Sequence, residues 1–283
     1  MLKLAYNTNG FLAHRLEDAI ALLAEMGYAG ISITLDVHHL PPFDTNDADL
    51  ARTRKLLDKH GLACALETGG RFILDPRHKH LPNLLSTRGS EQRLRFLERA
   101  IDMADAVGAG VVSIWSGRKE DGMNEDEAYD RLAGGLDKLR AHARGQGVVV
   151  AFEPEPGMLV ESLADLRRLE KLLGVPLPLT LDIGHLLLTE SEPIAEIIHT
   201  EAERLANVHI EDMRSGKHEH LPFGEGEIDF PPVLAALSDT GYKGLVSVEL
   251  SRSSHEAPDR ARRSLEFLQD VIAKNVEGEP DTP

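Results

Sequence analysis

The chain contains one cysteine, Cys64, so it cannot form an internal disulfide. Cys64 lies in the apolar run LACAL (Leu62–Leu66) and reads as a small core residue. No run is long and apolar enough to cross a membrane. The opening residues MLKLAYNTNG go straight into a strand-like pattern, without the charged, apolar and cleavage segments of a secretory leader. Positive charge is scarce: 31 Lys and Arg face 47 Asp and Glu, for a net charge of −16. Phosphate neutralisation supplies most of the affinity for nucleic acid, so no nucleic-acid partner is expected. The clusters RTRK (Arg52–Lys55) and RARR (Arg260–Arg263) have the spacing of solvated helix faces. The first strand ends in NTNG (Asn7–Gly10) and lacks the G-x-G-x-x-G of a dinucleotide-binding sheet. What remains is a cytoplasmic enzyme or binding protein with no membrane partner.

Strand-like and helix-like patterns alternate through most of the 283 residues. Strands are expected at Lys3–Asn7, Gly30–Asp36, Ala63–Thr68, Gly110–Trp115, Val148–Pro154, Leu177–Ile183, Asn207–Glu211 and Leu245–Leu250. Helices are expected at Leu16–Met26, Asp47–His60, Ser90–Val107, Glu125–Gln146, Ser162–Leu173, Pro193–Ala202, Pro232–Thr240 and Pro258–Lys274. Glycine punctuation such as EMGYAG (Glu25–Gly30) and DKHGLA (Asp58–Ala63) closes a helix and opens the next strand. The expected fold is α/β, a (β/α)8 TIM barrel forming one domain over residues 1–274, with a polar tail at 275–283. The segment from Gly69 to Gly89 is the longest irregular stretch and follows the third strand, so it would overhang the barrel mouth. Its Arg71, Arg77, His78, Lys79 and His80 either meet a charged substrate group or belong to a solvated lid.

Four ligand-type residues stand at or near the ends of strands five to eight: Glu153 in VVVAFEPEP, Asp182 in LPLTLDIGH, His209 in ANVHIED and Glu249 in LVSVEL. In a barrel the C-terminal strand ends face one mouth, so these four converge. Three carboxylates and an imidazole suit one divalent metal ion, and Mn, Co, Mg and Zn all remain open. His185, three residues after Asp182, would face substrate or a second metal. The stretch VHIEDMRSGKHEHLPFGEGEIDF (Val208–Phe230) is too rich in His, Gly and acid for an ordinary connection. His218 and His220 point the same way if extended, Gly224–Gly226 forms a tight turn, and Glu211 and Asp212 orient neighbours. Tyr6, Asn7, Glu67, Trp115 and Phe223 are expected to wall the pocket. Trp115, the only tryptophan, offers an aromatic face to a sugar. Arg214 and Arg252 are expected to contact substrate, as is His220.

The segments FEP (Phe152–Pro154), LDIGH (Leu181–His185), VHIED (Val208–Asp212), HLPFGEGEIDF (His220–Phe230) and VEL (Val248–Leu250) resemble those of the xylose-isomerase-like TIM barrels. That group includes sugar isomerases, ketose 3-epimerases, hydroxypyruvate isomerases and inosose dehydratases, with endonuclease IV as a distant relative. The resemblance implies Glu153, Asp182, His209 and Glu249 as metal ligands, His185 as a substrate contact, and Glu153 and Glu249 as the acid/base pair of the epimerases. It also leaves a homodimer or homotetramer open. Endonuclease IV relatives carry further histidines at strands two to four. Here the third run ends at Glu67 and Thr68 and the fourth at Trp115 and Ser116, while His38 and His39 make no clear match. These departures speak for one metal and against nuclease chemistry.

The expected function is metal-dependent isomerisation or epimerisation of a small sugar or polyol derivative. A divalent cation would stabilise the enediolate, and two glutamates would move the proton. Loss of a beta hydroxyl from the same kind of intermediate gives the alternative, dehydration of an inosose-like or dehydroshikimate-like substrate. An endonuclease IV-like phosphodiesterase is the third reading.

Overall fold

The computed structural model describes residues 1–277. In chain order the elements are β1 (Lys3–Asn7), α1 (Leu16–Met26), β2 (Gly30–Thr34), α2 (Asp47–His60), β3 (Ala63–Glu67), α3 (Ser90–Val107), β4 (Val111–Ile114), α4 (Glu125–His142), β5 (Val149–Phe152), α5 (Leu163–Leu173), β6 (Leu179–Asp182), α6 (Ile183–Thr189), α7 (Ile194–Glu201), β7 (Leu205–Ile210), β8 (Asp212–Arg214), β9 (Lys217–Leu221), α8 (Phe230–Asp239), β10 (Leu245–Val248) and α9 (Ala257–Glu277). Among the described residues, eight parallel strands close a barrel in the order β1-β10-β7-β6-β5-β4-β3-β2. The expected (β/α)8 fold is therefore the observed one. The first three residues of the expected tail continue α9, and the rest lie outside the described residues.

Local chemistry sets the boundaries. Asn46 starts α2 by accepting from the backbone N–H groups of Ala48 and Asp49, while Asp49 accepts from the Asn46 N–H. Ser162 and Asp165 form the same reciprocal cap on α5. Gly27 ends α1 at φ 99°, a left-handed conformation open to a residue without a Cβ. The inward faces of the helices pack Leu23, Leu57, Phe96, Leu132 and Leu166 onto strands buried on both sides. The barrel axis also holds polar contacts: the Ser32 and Ser247 hydroxyls meet at 2.7 Å.

Two elements go beyond the sequence expectation. The LDIGH segment turns into the short helix α6, so His185 is helical and not in a loop. The acid-rich stretch after β7 folds as an antiparallel hairpin, β8 with β9. The 69–89 segment has no regular element until α3, but it is tied down: the His80 N–H donates to the Arg71 carbonyl at 2.6 Å.

Candidate metal centre and proton-transfer site

The barrel order places β5, β6, β7 and β10 side by side. Asp182 is the last residue of β6 and pairs in register with His209 on β7, while Glu153 and Glu249 directly follow β5 and β10. Nδ1 of His209 lies 3.1 Å from Glu153 Oε1 and 3.0 Å from Glu249 Oε2. It is 3.9 Å from Asp182 Oδ2. One donor atom from each of the four residues falls within 4.8 Å of the others. The strands thus bring together all four predicted ligands.

Each carboxylate has a distinct local tether. Asp182 Oδ1 caps α6 by accepting from the His185 N–H at 2.9 Å. Its buried Oδ2 has no hydrogen-bond partner. A buried oxygen of a charged group is costly unless something compensates it, and a cation among these four donors would do so. The mixed oxygen and nitrogen set fits a divalent ion. Glu249 Oε1 accepts from Asn9 Nδ2 at 2.7 Å, and Glu153 Oε2 accepts from the Ser113 hydroxyl at 3.4 Å.

The two glutamates differ electrically. Burial pushes Glu153 up to about 7; His209 opposes this, while Glu249 and Asp182 add to it. Burial also raises Glu249, but His209, then His220 and His185, outweigh it and hold that carboxylate well below its usual range. For His209, burial disfavours the charged ring, yet Glu67, Glu153 and Glu249 together lift its pKa well above the ordinary value.

Above the cluster opens a cavity lined by Asn7, Asn9, Glu67, Trp115, Glu155 and His220, with Arg71, Lys79, His80, His218 and Arg252 nearer the mouth. Asn7 lines it, but its Oδ1 is already engaged by the Asn9 N–H at 3.2 Å and by the Thr34 hydroxyl. Glu67 also lines it, with its Oε1 turned to Asn207 Nδ2 and His209 Nε2. His218 and His220 share one face of β9, as the extended reading requires, and their rings meet His185. Nε2 of His185 is 3.1 Å from Nε2 of His218, and the His218 and His220 ring centres are 5.3 Å apart. Burial lowers His185 to about 4. Burial works the same way on His220, but Glu211, 3.7 Å from Nδ1, pushes that ring up to about 10.

Other expectations are corrected. Arg214 stands outside the cavity: its side chain is 51% exposed and pairs with the buried Glu219 Oε1 at 3.3 Å. Tyr6 is fully buried in core packing against Phe11 and Tyr28, and Phe223 stacks on Phe267. Neither ring lines the cavity, because each finds an aromatic partner behind the barrel wall. His39 is buried, with Nε2 3.0 Å from the His14 carbonyl oxygen, and serves the structure of its loop. Sequence reasoning missed Asn9 and Glu155. Asn9 follows the first strand as Glu249 follows the last, and that shared placement was the available signal. Burial, followed by Glu153 and Glu249, pushes the Glu155 carboxyl well above its ordinary range.

No helix among the described residues is long and apolar enough to cross a membrane. The chain is 26% identical over 222 residues to an inosose dehydratase of Lacticaseibacillus casei, covering 66% of this chain and 74% of the relative. Its fold matches a crystal structure of IOLI protein with a zinc atom, with TM-score 0.77 at 20% identity over 97% of this chain and 99% of the other. It also matches a D-allulose 3-epimerase from Methylomonas sp. in complex with D-allulose, with TM-score 0.73 at 20% identity, covering 95% and 96%. Residues 20–271 match the family described as xylose isomerase-like TIM barrel, and the chain belongs to that family.

Proposed function

We propose that this chain is a divalent-metal-dependent isomerase or epimerase of a small sugar or polyol derivative. Glu153, Asp182, His209 and Glu249 would hold one ion, of Mn, Co, Mg or Zn. When bound, such an ion supplies a Lewis acid that polarises a carbonyl and offsets charge developing beside it. The observation carrying the proposal is the pair of carboxyls that meet the same imidazole nitrogen from β5 and β10. In the metal-free chain burial lifts Glu153 while His209 and its neighbours hold Glu249 down, so the two carboxyls are not equivalent. One of the two glutamates takes the proton next to the carbonyl, and the other returns one. Asn9 fixes the orientation of Glu249. The cavity, about 240 Å³, falls below the roughly 300–1,000 Å³ of drug-sized pockets, so its occupant is a small molecule.

The likeness to an inosose dehydratase favours a second reading, in which the same proton abstraction ends in loss of a beta hydroxyl. Solvent deuterium distinguishes the readings. An epimerase or isomerase puts deuterium into recovered substrate and its isomer, whereas a dehydratase accumulates an unsaturated product with new ultraviolet absorbance. Glu153→Gln and Glu249→Gln should each slow exchange by about 100- to 10,000-fold while the metal-loaded protein stays folded. Unchanged exchange in both variants would remove the glutamates from the chemistry.

A further inference from the structure

The mouth of the cavity has the opposite charge from its floor. Arg71 and Lys79, on the segment after β3, and Arg252, after β10, all line it. These strands are separated by β2 and β1 in the barrel, yet all three cations line the same cavity. Burial lowers the Lys79 pKa, and Arg71 and Arg252 lower it further against Glu155 and Asp36. Some cations elsewhere on the surface sit on carboxylates, as Arg131 does on Glu127 and Arg168 on Asp126. Among the described residues, Lys79 and Arg252 have no carboxylate in ion-pairing range, and Arg71 has only Asp36 at 3.6 Å.

The rim is also held in place. His80 joins its N–H to the Arg71 carbonyl, and its Nδ1 lies 3.1 Å from the Gly69 carbonyl oxygen. Its ring meets Trp115 edge-on at 4.9 Å, and the buried Arg93 guanidinium lies 5.0 Å from the Trp115 ring and donates to the Thr68 carbonyl. His80 sits at φ 64°, a left-handed conformation uncommon outside glycine. These contacts hold the His80 backbone and ring in place. Gly69, Arg71, Lys79 and His80 of the segment line the cavity, while residues 76–79 are exposed.

We propose that Arg71, Lys79 and Arg252 bind a terminal anionic group of the substrate, a carboxylate or a phosphate. The substrate would then be a sugar acid or sugar phosphate whose carbonyl end lies over Glu153 and Glu249. This rests on reading those glutamates as the proton-transfer pair. Guanidinium forks and an ammonium match either anion. On a chain of net charge −16, a cationic rim would lessen the repulsion an anion meets where substrate enters.

The test uses metal-loaded protein and matched ketoses ending in a hydroxymethyl, a carboxylate or a phosphate, scored by solvent deuterium uptake. One anionic ketose should exceed the neutral one in kcat/KM by at least about tenfold, and the better of the two names the anion. The double variant Lys79→Gln/Arg252→Gln should lose about tenfold of that ratio, mainly through KM, while Lys79→Arg/Arg252→Lys should keep it. A neutral ketose used equally well, or a ratio unmoved by Lys79→Gln/Arg252→Gln, overturns the proposal. If no ketose exchanges, the proton-transfer reading fails on its own. Calorimetric titration with inorganic phosphate then decides the rim: about tenfold weaker binding by Lys79→Gln/Arg252→Gln supports it, and equal binding overturns it.

Discussion

Glu67 Oε1 lies 3.0 Å from Nε2 of His209, on the ring nitrogen opposite the one that meets Glu153 and Glu249. With a proton on Nε2 donated to Glu67, Nδ1 keeps its lone pair for a cation. A carboxylate behind a ligating imidazole fixes its tautomer and raises its basicity. Glu67→Ala should therefore weaken metal affinity by about 10- to 100-fold, measured by competition with a chelator. Glu67→Gln, whose amide oxygen still accepts the bond, should lose less. Equal affinity in Glu67→Ala and the parent would show that this carboxylate does not act through His209.

Metal loading should release protons. In the metal-free protein, burial opposes a charged His209, but Glu67, Glu153 and Glu249 raise its pKa well above the usual value, so the ring holds two protons at pH 7. Glu153, pushed up to about 7, is half protonated there. A cation needs Nδ1 and the carboxylates bare, so binding strengthens as pH rises toward the His209 pKa. Calorimetry at pH 7 in buffers of different ionisation enthalpy should report roughly one to two protons released per ion. A value of zero would mean that His209 is already neutral.

The four ligands were legible because each follows or ends an apolar strand, and the barrel converts that one-dimensional placement into convergence. Glu153, Asp182, His209 and Glu249 needed only the topology to meet. Helices α1, α2 and α3 were equally plain, since their amphipathic period stops at Gly27, Gly61 and Gly108 in left-handed conformations. The hairpin was not legible. Residues 212–221 alternate charged and apolar side chains too weakly for a strand signal, and its turn competes with the Gly224–Gly226 turn. Arg214 shows the consequence: it follows His209 closely in sequence, but β8 carries it away from the cavity to Glu219. Tyr6 fails differently. Alternation along β1 turns Asn7 into the mouth and leaves Tyr6 to the core.

Asp212 organises the other end of that hairpin. Its Oδ2 accepts from the Gly224 and Gly226 N–H groups at 2.8 Å each, and its Oδ1 from Met213 at 2.9 Å and Ile228 at 3.2 Å. Gly226 admits this contact because a Cβ there would come within 2.2 Å of Oδ1. Asp212→Ala should leave several of these donors unsatisfied and cost at least about 2 kcal/mol in a urea melt. Proteolysis of the 212–228 segment should rise with it. A loss within about 0.5 kcal/mol, the range of an ordinary surface substitution, would show that water replaces the carboxylate without penalty.

Asp182 separates the structural duty of a ligand from its metal duty. Oδ1 caps α6, while Oδ2 is free for a cation. Asp182→Asn can keep the cap through its amide oxygen but offers no second anionic oxygen, so helix α6 should survive and metal binding should not. Asp182→Ala loses both, and the missing cap alone should cost about 0.5–2 kcal/mol. Without metal, Asp182→Asn should melt above Asp182→Ala. Adding metal should raise the melting temperature of the parent and leave both variants where they were, since only binding to the folded state stabilises it. A metal-dependent rise in Asp182→Asn equal to that of the parent would place the ion on Glu153, His209 and Glu249 alone.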